Sequence, residues 1–183
     1  MGQRLSDSQY RIEPLNTSHD RAAFSCGEAA LDRYIRQSAG QDMRRRVTVV
    51  YVLVDAAAPR TIAGFYTLSA SSVSLHDFPL EMARQLPKYP SVPVALVGRL
   101  ASSLHCQGQG CGALLIVDAL ARSCAISETG MGVAAVVVDA KTEQVTAFYE
   151  KYGFMRFHAT TPPRLFIPIR TAQQALSPGQ TAD

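Results

Sequence analysis

A glycine-rich segment between a predicted strand and a predicted helix carries the clearest chemical signal in this sequence. The segment consists of Gln107, Gly108, Gln109, Gly110, Cys111, Gly112 and Ala113. Free backbone N–H groups at the start of a helix bind phosphate, and glycines let the backbone approach a ligand closely. The pattern therefore predicts a site for a phosphate-bearing ligand, although the same residues could also form a tight turn that holds none.

The glycine spacing can be compared with two known phosphate-binding patterns. A Walker A loop is excluded because no Gly-Lys-Ser/Thr ends the segment. Gly108, Gly110 and Ala113 match the GxGxxA pattern of dinucleotide-binding proteins. Such a motif normally lies early in a chain, with more βα units after it, whereas here only one strand–helix pair and a terminal strand pair follow. A dinucleotide-binding protein therefore remains an alternative.

Length and composition favour a single globular domain. The chain has 183 residues, of which 47% are hydrophobic, and this fraction excludes disorder for most of it.

The longest apolar runs of the chain fall far short of the ~20 residues that a membrane span needs. The N-terminus has no signal-peptide core. The four cysteines form no CxxC pair, which predicts a reduced, cytoplasmic protein, and no residue cluster has metal-ligand spacing.

The basic residues are mostly arginine. The net charge is only +3, but fifteen of the eighteen basic residues are Arg. Arginine suits bidentate contacts with phosphate better than lysine does. A GC-rich genome would give the same bias, so charge alone does not establish a nucleic-acid partner.

Hydrophobic periodicity predicts a mixed order of strands and helices. Strands are predicted over residues 10–15, 47–54, 61–72, 95–101, 133–138, 154–157 and 164–169. Helices are predicted near residues 25–43, 80–86, 114–124 and 142–152. Ser25 and Glu28 have the spacing of a capping box, and Thr142 is a good N-cap. This order describes an α/β protein with one mixed sheet and helices packed on it.

Two motifs together resemble the GCN5-related N-acetyltransferase (GNAT) family. Gln107, Gly110 and Gly112 fit the pattern Gln/Arg-x-x-Gly-x-Gly/Ala, and the run Phe-Tyr-Glu-Lys-Tyr-Gly-Phe follows at residues 148–154. The resemblance covers roughly residues 10–169. It implies a central mixed sheet that splays apart at an acetyl-CoA site, with helices on both faces. We expect one acetyltransferase domain over residues 10–170, with flexible termini at 1–9 and 171–183.

The family resemblance also implies where acetyl-CoA binds. Its pantetheine arm would pair with the backbone of Val97, Gly98, Leu100 and Ala101. Its pyrophosphate would lie in the glycine-rich segment, residues 107–113. Many family members carry Asn at the position of Thr142, so this chain departs from the pattern there.

A narrower resemblance is to the GNAT toxins of bacterial toxin–antitoxin systems. It is carried by Phe-Ser-Cys-Gly at residues 24–27, Ala-Gly-Phe-Tyr-Thr-Leu-Ser at 63–69, Leu-Pro-Lys-Tyr-Pro at 86–90, Gly-Arg-Leu-Ala at 98–101 and Val-Val-Asp-Ala-Lys at 137–141. The resemblance implies that the protein acetylates the α-amino group of aminoacyl-tRNA and so blocks translation. It also implies a ribbon-helix-helix antitoxin as partner and, since dimers are common in this group, a homodimer.

Tyr149 is the candidate catalytic residue. The family comparison places this tyrosine beside the sulfur of CoA, and a phenol with a reference pKa of ~10 can protonate the leaving thiolate. The alternative is that Tyr149 is an apolar helix contact, like Phe148. No glutamate stands out as a general base. This fits an α-amino substrate, since its pKa of ~8 leaves part of it neutral at pH 7.

Four arginines are candidates for binding the substrate. Arg44, Arg45 and Arg46 could hold tRNA phosphates, or could simply form a solvated helix end. Arg99 lies on the strand expected to line the acetyl-CoA cleft. It could face the acceptor end of the tRNA or pair with an acidic residue of the sheet.

Other functions stay open at this point. A small-molecule or protein N-acetyltransferase would share the acetyl-CoA site and differ only in its substrate surface. A CoA-binding regulatory module without turnover would keep the glycine-rich segment and have no use for the Tyr149 phenol.

Overall fold

The computed structural model of this protein describes residues 9–158 and 160–177. The strands are β1 (Tyr10–Pro14), β2 (Val49–Asp55), β3 (Ala58–Ser74), β4 (Ser91–Ser102), β5 (Ala135–Asp139), β6 (Met155–Arg156) and β7 (Arg164–Pro168). The α-helices are α1 (Ala29–Arg33), α2 (Ala39–Arg44), α3 (Leu80–Gln85), α4 (Cys111–Thr129), α5 (Glu143–Glu150) and α6 (Ile169–Leu176). A π-helical turn, Tyr34–Ser38, joins α1 to α2, and a 3₁₀ turn, Leu75–Asp77, follows β3.

The strands form one mixed sheet in the order β1-β2-β3-β4-β5-β7-β6. Strand β4 pairs with β5 in parallel, whereas β1–β2, β2–β3, β5–β7 and β6–β7 are antiparallel. The parallel ladder is short and runs from the pair Val94–Ala135 to the pair Val97–Val138. The mixed α/β fold predicted from the sequence is confirmed.

The chain divides into two compact units. The first comprises the described residues up to Ser69 together with Gly98–Ala119, and the second comprises Ala70–Val97 and the described residues from Leu120 onward. Each unit has a hydrophobic core of its own, which is the physical basis for treating it as a packing unit.

The core of the first unit is organised around Phe65. This side chain is fully buried, and its ring centroid lies 5.4 Å from that of Phe24 and 6.2 Å from that of Tyr34. Burying one such ring contributes about 2–3 kcal/mol, and favourable ring pairs add up to about 1.5 kcal/mol more. The aromatic cluster therefore holds the helical segment of residues 29–44 against β3.

The core of the second unit contains a triangle of phenylalanines. The ring centroids of Phe78 and Phe157 are 4.9 Å apart, those of Phe78 and Phe166 are 5.0 Å apart, and those of Phe157 and Phe166 are 4.7 Å apart. These rings come from three separate segments of the chain, so their contacts fix the position of the terminal strands within this unit.

The capping box predicted from Ser25 and Glu28 is wrong. The first helix begins after Glu28, whose side chain makes no capping hydrogen bond. The Ser25 hydroxyl instead donates to Asp32 Oδ2 at 3.0 Å, and the backbone N–H of Cys26 donates to Asp32 Oδ1 at 2.8 Å. Asp32 therefore receives the donors of this turn, because its carboxylate is a stronger acceptor than a serine hydroxyl.

The expectation of a flexible end from residue 171 onward is wrong for residues 171–176, which belong to α6. Two contacts hold this helix: the Ile169 N–H donates to the Ala134 carbonyl at 2.9 Å, and Gln173 Nε2 donates to Glu128 Oε1 at 2.8 Å. Ala172, in the first half of α6, is completely buried. The remaining terminal segments, residues 1–8 and 178–183, lie outside the described residues.

Gly64 provides a test of the packing in the first unit. A Cβ at this position would lie 2.9 Å from the Ala101 carbonyl oxygen and 2.9 Å from Leu115 Cδ1. We expect Gly64→Ala to lower the free energy of unfolding by about 1–3 kcal/mol, because overpacking forces the neighbouring backbone to shift. Urea denaturation of the variant and the wild type measures this change.

Gly132→Ala is the matched control, since a Cβ at Gly132 meets nothing within 4 Å. We expect its free energy of unfolding to stay within about 0.5 kcal/mol of the wild type. Equal stability of the two alanine variants would contradict the close approach of β3 to the end of β4.

Candidate active site

The glycine-rich segment lies immediately before α4, as the sequence predicts. Gly108 and Gly110 have φ angles of +75° and +91°, in the left-handed region that favours glycine. Residues 107–110 are exposed, and a Cβ at Gly108 would point into open space. Since the first N–H groups of a helix have no partner within it, the start of α4 offers free donors beside an open, glycine-lined turn.

Two glutamine side chains of this segment are engaged with the protein backbone. Gln107 Nε2 donates to the carbonyl oxygens of Cys26 at 2.9 Å and Ser102 at 3.3 Å. Gln109 Nε2 donates to the His105 carbonyl at 2.6 Å. These bonds tie the turn to β4 and to the segment before α1. The N–H groups of Gln107 and Gln109 also donate within the turn, to the carbonyls of Ser103 and Cys106. The part free to meet a ligand is therefore the exposed backbone at the glycines and the start of α4.

Cys111, the first residue of α4, is an inert thiol. The residue is 1% exposed, and burial, followed by the neighbouring Cys106, raises the pKa of its thiol to about 12. Because the thiolate is the reactive species, this side chain stays unreactive at neutral pH. The Cys111 side chain therefore fills space at the start of the helix.

Strand β4 continues from the end of its ladder with β5, at Val97, to Ser102. In this stretch Gly98 and Arg99 are exposed, Leu100 is half-buried and Ala101 is buried. The Arg99 N–H donates to Thr67 Oγ1 at 3.0 Å, which anchors this part of β4 in the first unit. The stretch carries four of the residues expected to meet a pantetheine arm or a substrate.

Tyr149 belongs to the second unit and lies on α5. Thr142 caps this helix through a bond of 3.2 Å from the Val145 N–H to its Oγ1, as predicted, so its side chain serves the helix. The Tyr149 ring is 4% exposed and packs against Phe148 and Phe154. Burial above all raises the pKa of its phenol well above the ordinary value, so the group keeps a transferable proton at neutral pH.

The three consecutive arginines, Arg44, Arg45 and Arg46, are all exposed at the end of α2. Arg46 has a φ of +56°, which ends the helix there. A Cβ built on Gly40 would lie 3.0 Å from Arg21 Nη1 and 3.5 Å from Arg44 Nη1, so these two guanidinium groups converge over this glycine.

Sequence reasoning missed the arginines that extend this basic surface. Arg21, Arg36 and Arg60 line a cavity of about 500 Å³ in the first unit. They lie far apart in the sequence and follow no periodic pattern, so only the fold brings them together. No carboxylate pairs with Arg21, Arg44 or Arg60 within the part of the chain that the structure describes.

Arg99 lies over an aromatic ring. Its Cζ is 3.8 Å from the centroid of the Tyr34 ring, and no acidic side chain among residues 9–158 and 160–177 forms an ion pair with it. The pairing with an acidic residue of the sheet, one of the two expected roles, is therefore not observed. Tyr34 was not singled out from the sequence, because it belongs to an ordinary apolar helix stripe.

Two further searches of the described residues gave negative results. No group of three or more His, Cys, Asp or Glu residues could hold a metal ion among them. None of the helices formed by these residues is long and apolar enough to cross a membrane.

Comparison with solved structures identifies three similar proteins. AtaT complexed with acetyl-methionyl-tRNAfMet matches with a TM-score of 0.84 and 27% identity, covering 92% of this chain and 99% of that one. AtaTR bound with AcCoA matches with a TM-score of 0.80 and 27% identity over 93% and 99%. An AtaT variant bound to the C-terminus of the antitoxin AtaR matches with a TM-score of 0.78 and 26% identity over 92% and 99%.

Comparison of sequences finds curated relatives of nearly equal length. No protein-family model matches the chain. A probable toxin TacT of Sinorhizobium fredii is 32% identical over 173 residues, which cover 90% of this chain and 94% of the relative. A tRNA-acetylating toxin of Mycobacterium tuberculosis is 31% identical over 159 residues, 87% of this chain and 92% of that toxin. With identity above 30% along most of both chains, this protein belongs to the GNAT-type toxins of toxin–antitoxin systems.

Proposed function

We propose that this protein is an acetyl-CoA-dependent N-acetyltransferase that acetylates the α-amino group of aminoacyl-tRNA and thereby blocks translation. The observation that carries the proposal is the open turn before α4, with Gly108 and Gly110 in left-handed conformations, in a member of this toxin family. The neighbours crystallised with AcCoA and with acetyl-methionyl-tRNAfMet support the choice of acetyl donor and of substrate.

The residues present fit acetyl-CoA, which supplies an activated acetyl group when it is bound. The start of α4 offers backbone donors to the pyrophosphate, and the space above Gly108 is open. In our proposal the pyrophosphate lies against residues 107–113, where the first N–H groups of α4 are its donors. The pantetheine arm aligns with the backbone of β4 at Val97, Gly98, Leu100 and Ala101, of which Gly98 is exposed and Leu100 half-buried. Side chains contribute little to either contact, since those of Gln107 and Gln109 hold the turn itself.

Tyr149 is the proposed general acid. Its phenol would give its proton to the sulfur of CoA as the C–S bond breaks and the new C–N bond forms, and the amine nitrogen would lose its extra proton to water. Burial keeps this proton in place at neutral pH, because the raised pKa favours the neutral phenol. A substrate amine with a pKa of ~8 is partly neutral at pH 7, so the reaction needs no strong general base.

The proposed tRNA surface is basic. Arg44, Arg45 and Arg46 are exposed, and Arg21 converges with Arg44 over Gly40. Guanidinium groups without carboxylate partners are free to bind phosphates, so we assign this surface to the tRNA backbone. We assign Arg99 to the acceptor end of the tRNA.

Family membership supports a proposal for the partner and for the cellular location. One neighbour was solved with the C-terminus of its antitoxin, and we infer that an antitoxin of the ribbon-helix-helix type binds this protein. We also infer a homodimer, a location in the cytoplasm, where charged tRNA occurs, and one acetyltransferase domain, which α6 extends from the expected residue 170 to Leu176.

The glycine-rich turn can be tested with Gly110→Val. A β-branched residue is strongly strained at a φ of +91°, and its side chain would obstruct the turn. We expect isothermal titration calorimetry to detect no acetyl-CoA binding by the folded variant. Gly132→Ala, at an open position of the second unit, is the control and should bind normally. Unchanged affinity in folded Gly110→Val would mean that the cofactor binds elsewhere.

The role of Tyr149 can be tested with Tyr149→Phe, which keeps the ring and removes the proton donor. We expect kcat to fall by about 10²–10⁴-fold while acetyl-CoA affinity is retained. Because the phenol pKa is raised, the wild type should show no alkaline loss of kcat from this group below about pH 10. Equal kcat values for the two proteins would make Tyr149 an apolar contact only.

The substrate can be tested with radiolabelled acetyl-CoA and total charged tRNA. We expect label in aminoacyl-tRNA that is released by deacylation, and growth arrest when the protein is expressed alone. Replacing Arg44, Arg45 and Arg46 with Ala should weaken tRNA binding and reduce its salt dependence, because fewer counterions are released. Robust turnover on polyamines or protein N-termini, without label in tRNA, would instead favour a general N-acetyltransferase.

A further inference from the structure

The contact between Arg99 and Tyr34 is not explained by the roles assigned so far. The Arg99 Cζ lies 3.8 Å from the ring centroid of Tyr34, well inside the ~6 Å range of a cation–π interaction. Arg99 is itself exposed, so its guanidinium has one side on the ring and remains accessible to a ligand. Both residues belong to the first unit.

Tyr34 is held in place by the core. It is 6% exposed and stacks on Phe65, with the two ring planes inclined by 22°. It is also the first residue of the π-helical turn Tyr34–Ser38, which interrupts the helical segment between α1 and α2. Such turns are rare, and they occur frequently at functional sites.

The hydroxyl of Tyr34 is unusual for a buried polar group. It is inaccessible to solvent and makes no hydrogen bond of ordinary geometry within the described residues. Burial, followed by the negative charge of Asp42, raises the pKa of this phenol to about 12. The hydroxyl therefore lies close to the Asp42 carboxylate, whereas the contact with Arg99 is made by the face of the ring.

Arg99 is anchored at its backbone as well as at its charged end. Its N–H donates to the hydroxyl of Thr67, which is 1% exposed, at 3.0 Å. An arginine side chain normally loses much rotamer freedom when it binds a ligand. A guanidinium already held over an aromatic ring has less freedom to lose, so it binds an anion more tightly.

We propose that Tyr34 is a positioning residue that holds the Arg99 guanidinium ready for a phosphodiester at the acceptor end of aminoacyl-tRNA. This inference rests on the proposed function. A guanidinium forms paired N–H bonds to two oxygens of one phosphate. The guanidinium of Arg99 is available for such bonds, because it forms no ion pair with a carboxylate among the described residues. The role of Tyr34 is carried by the face of its ring, and its hydroxyl is not required for it.

The experiment measures steady-state kinetics of Tyr34→Phe, Tyr34→Leu, Arg99→Gln, Arg99→Lys and the double variant of Tyr34→Leu with Arg99→Gln. We expect Tyr34→Leu to raise KM for charged tRNA about tenfold with little change in kcat, and Tyr34→Phe to stay within about twofold of the wild type. Arg99→Lys should behave like Arg99→Gln, since an ammonium cannot reproduce the paired bonds. Arg33→Gln removes another exposed arginine of the same unit and is the control for net charge.

The double variant separates positioning from general destabilisation. If Tyr34 acts through Arg99, the double variant should have the same KM for charged tRNA as Arg99→Gln alone. Two results would overturn the inference. One is a KM in the double variant that rises by the product of the two single-variant increases, and the other is an unchanged KM in folded Tyr34→Leu. If Tyr34→Leu does not fold, pentafluorophenylalanine at position 34 replaces it, because this ring keeps its shape and loses its negative face.

Failure of the inference can be told apart from failure of the proposed function. Wild-type protein that labels charged tRNA, with a KM that does not respond to the ring at position 34, overturns the role of Tyr34 alone. Wild-type protein that turns over small amines and never labels charged tRNA overturns the proposed substrate and this inference together.

Discussion

The packing of Phe65 against Phe24 and Tyr34 is the interaction on which the first unit depends. It fixes the helical segment that ends in three arginines, and it presents the Tyr34 ring to Arg99. A smaller residue at position 65 would leave a cavity under this segment, at a cost of about 3–5 kcal/mol. Core packing and the arrangement of the basic surface are therefore governed by the same aromatic contacts.

The glycine-rich turn depends on backbone conformation more than on side chains. Gly108 and Gly110 adopt angles that other residues avoid, and Gln107 binds the carbonyls of Cys26 and Ser102 to keep the turn in place. The chemistry of such a site comes from N–H groups at a helix start, which every residue except proline can supply. The sequence must therefore provide residues that can adopt the left-handed backbone conformation of this turn. This requirement explains why the site is recognised in the sequence by its glycines.

Local signals made most of the fold predictable, and tertiary contacts account for the rest. Thr142 caps the start of α5 as expected, because a cap acts within one turn, and the helix ends at Glu150, two residues before its expected end. The predicted cap at Ser25 was wrong because Asp32, seven residues further on, is the better acceptor. The convergence of Arg21 with Arg44, and of Arg99 with Tyr34, joins residues far apart in the sequence, so no periodic pattern could predict either.

Three thiols that are buried or half-buried have a consequence for how the protein responds to oxidants. Burial raises the pKa of Cys26 to about 11 and that of Cys111 to about 12, and it also raises the pKa of Cys124. Peroxides and electrophiles react with thiolates, which are scarce at neutral pH when the pKa is this high. These three side chains should therefore survive oxidative stress that inactivates enzymes with acidic cysteines. This resistance covers three of the four cysteines and leaves out the half-exposed Cys106.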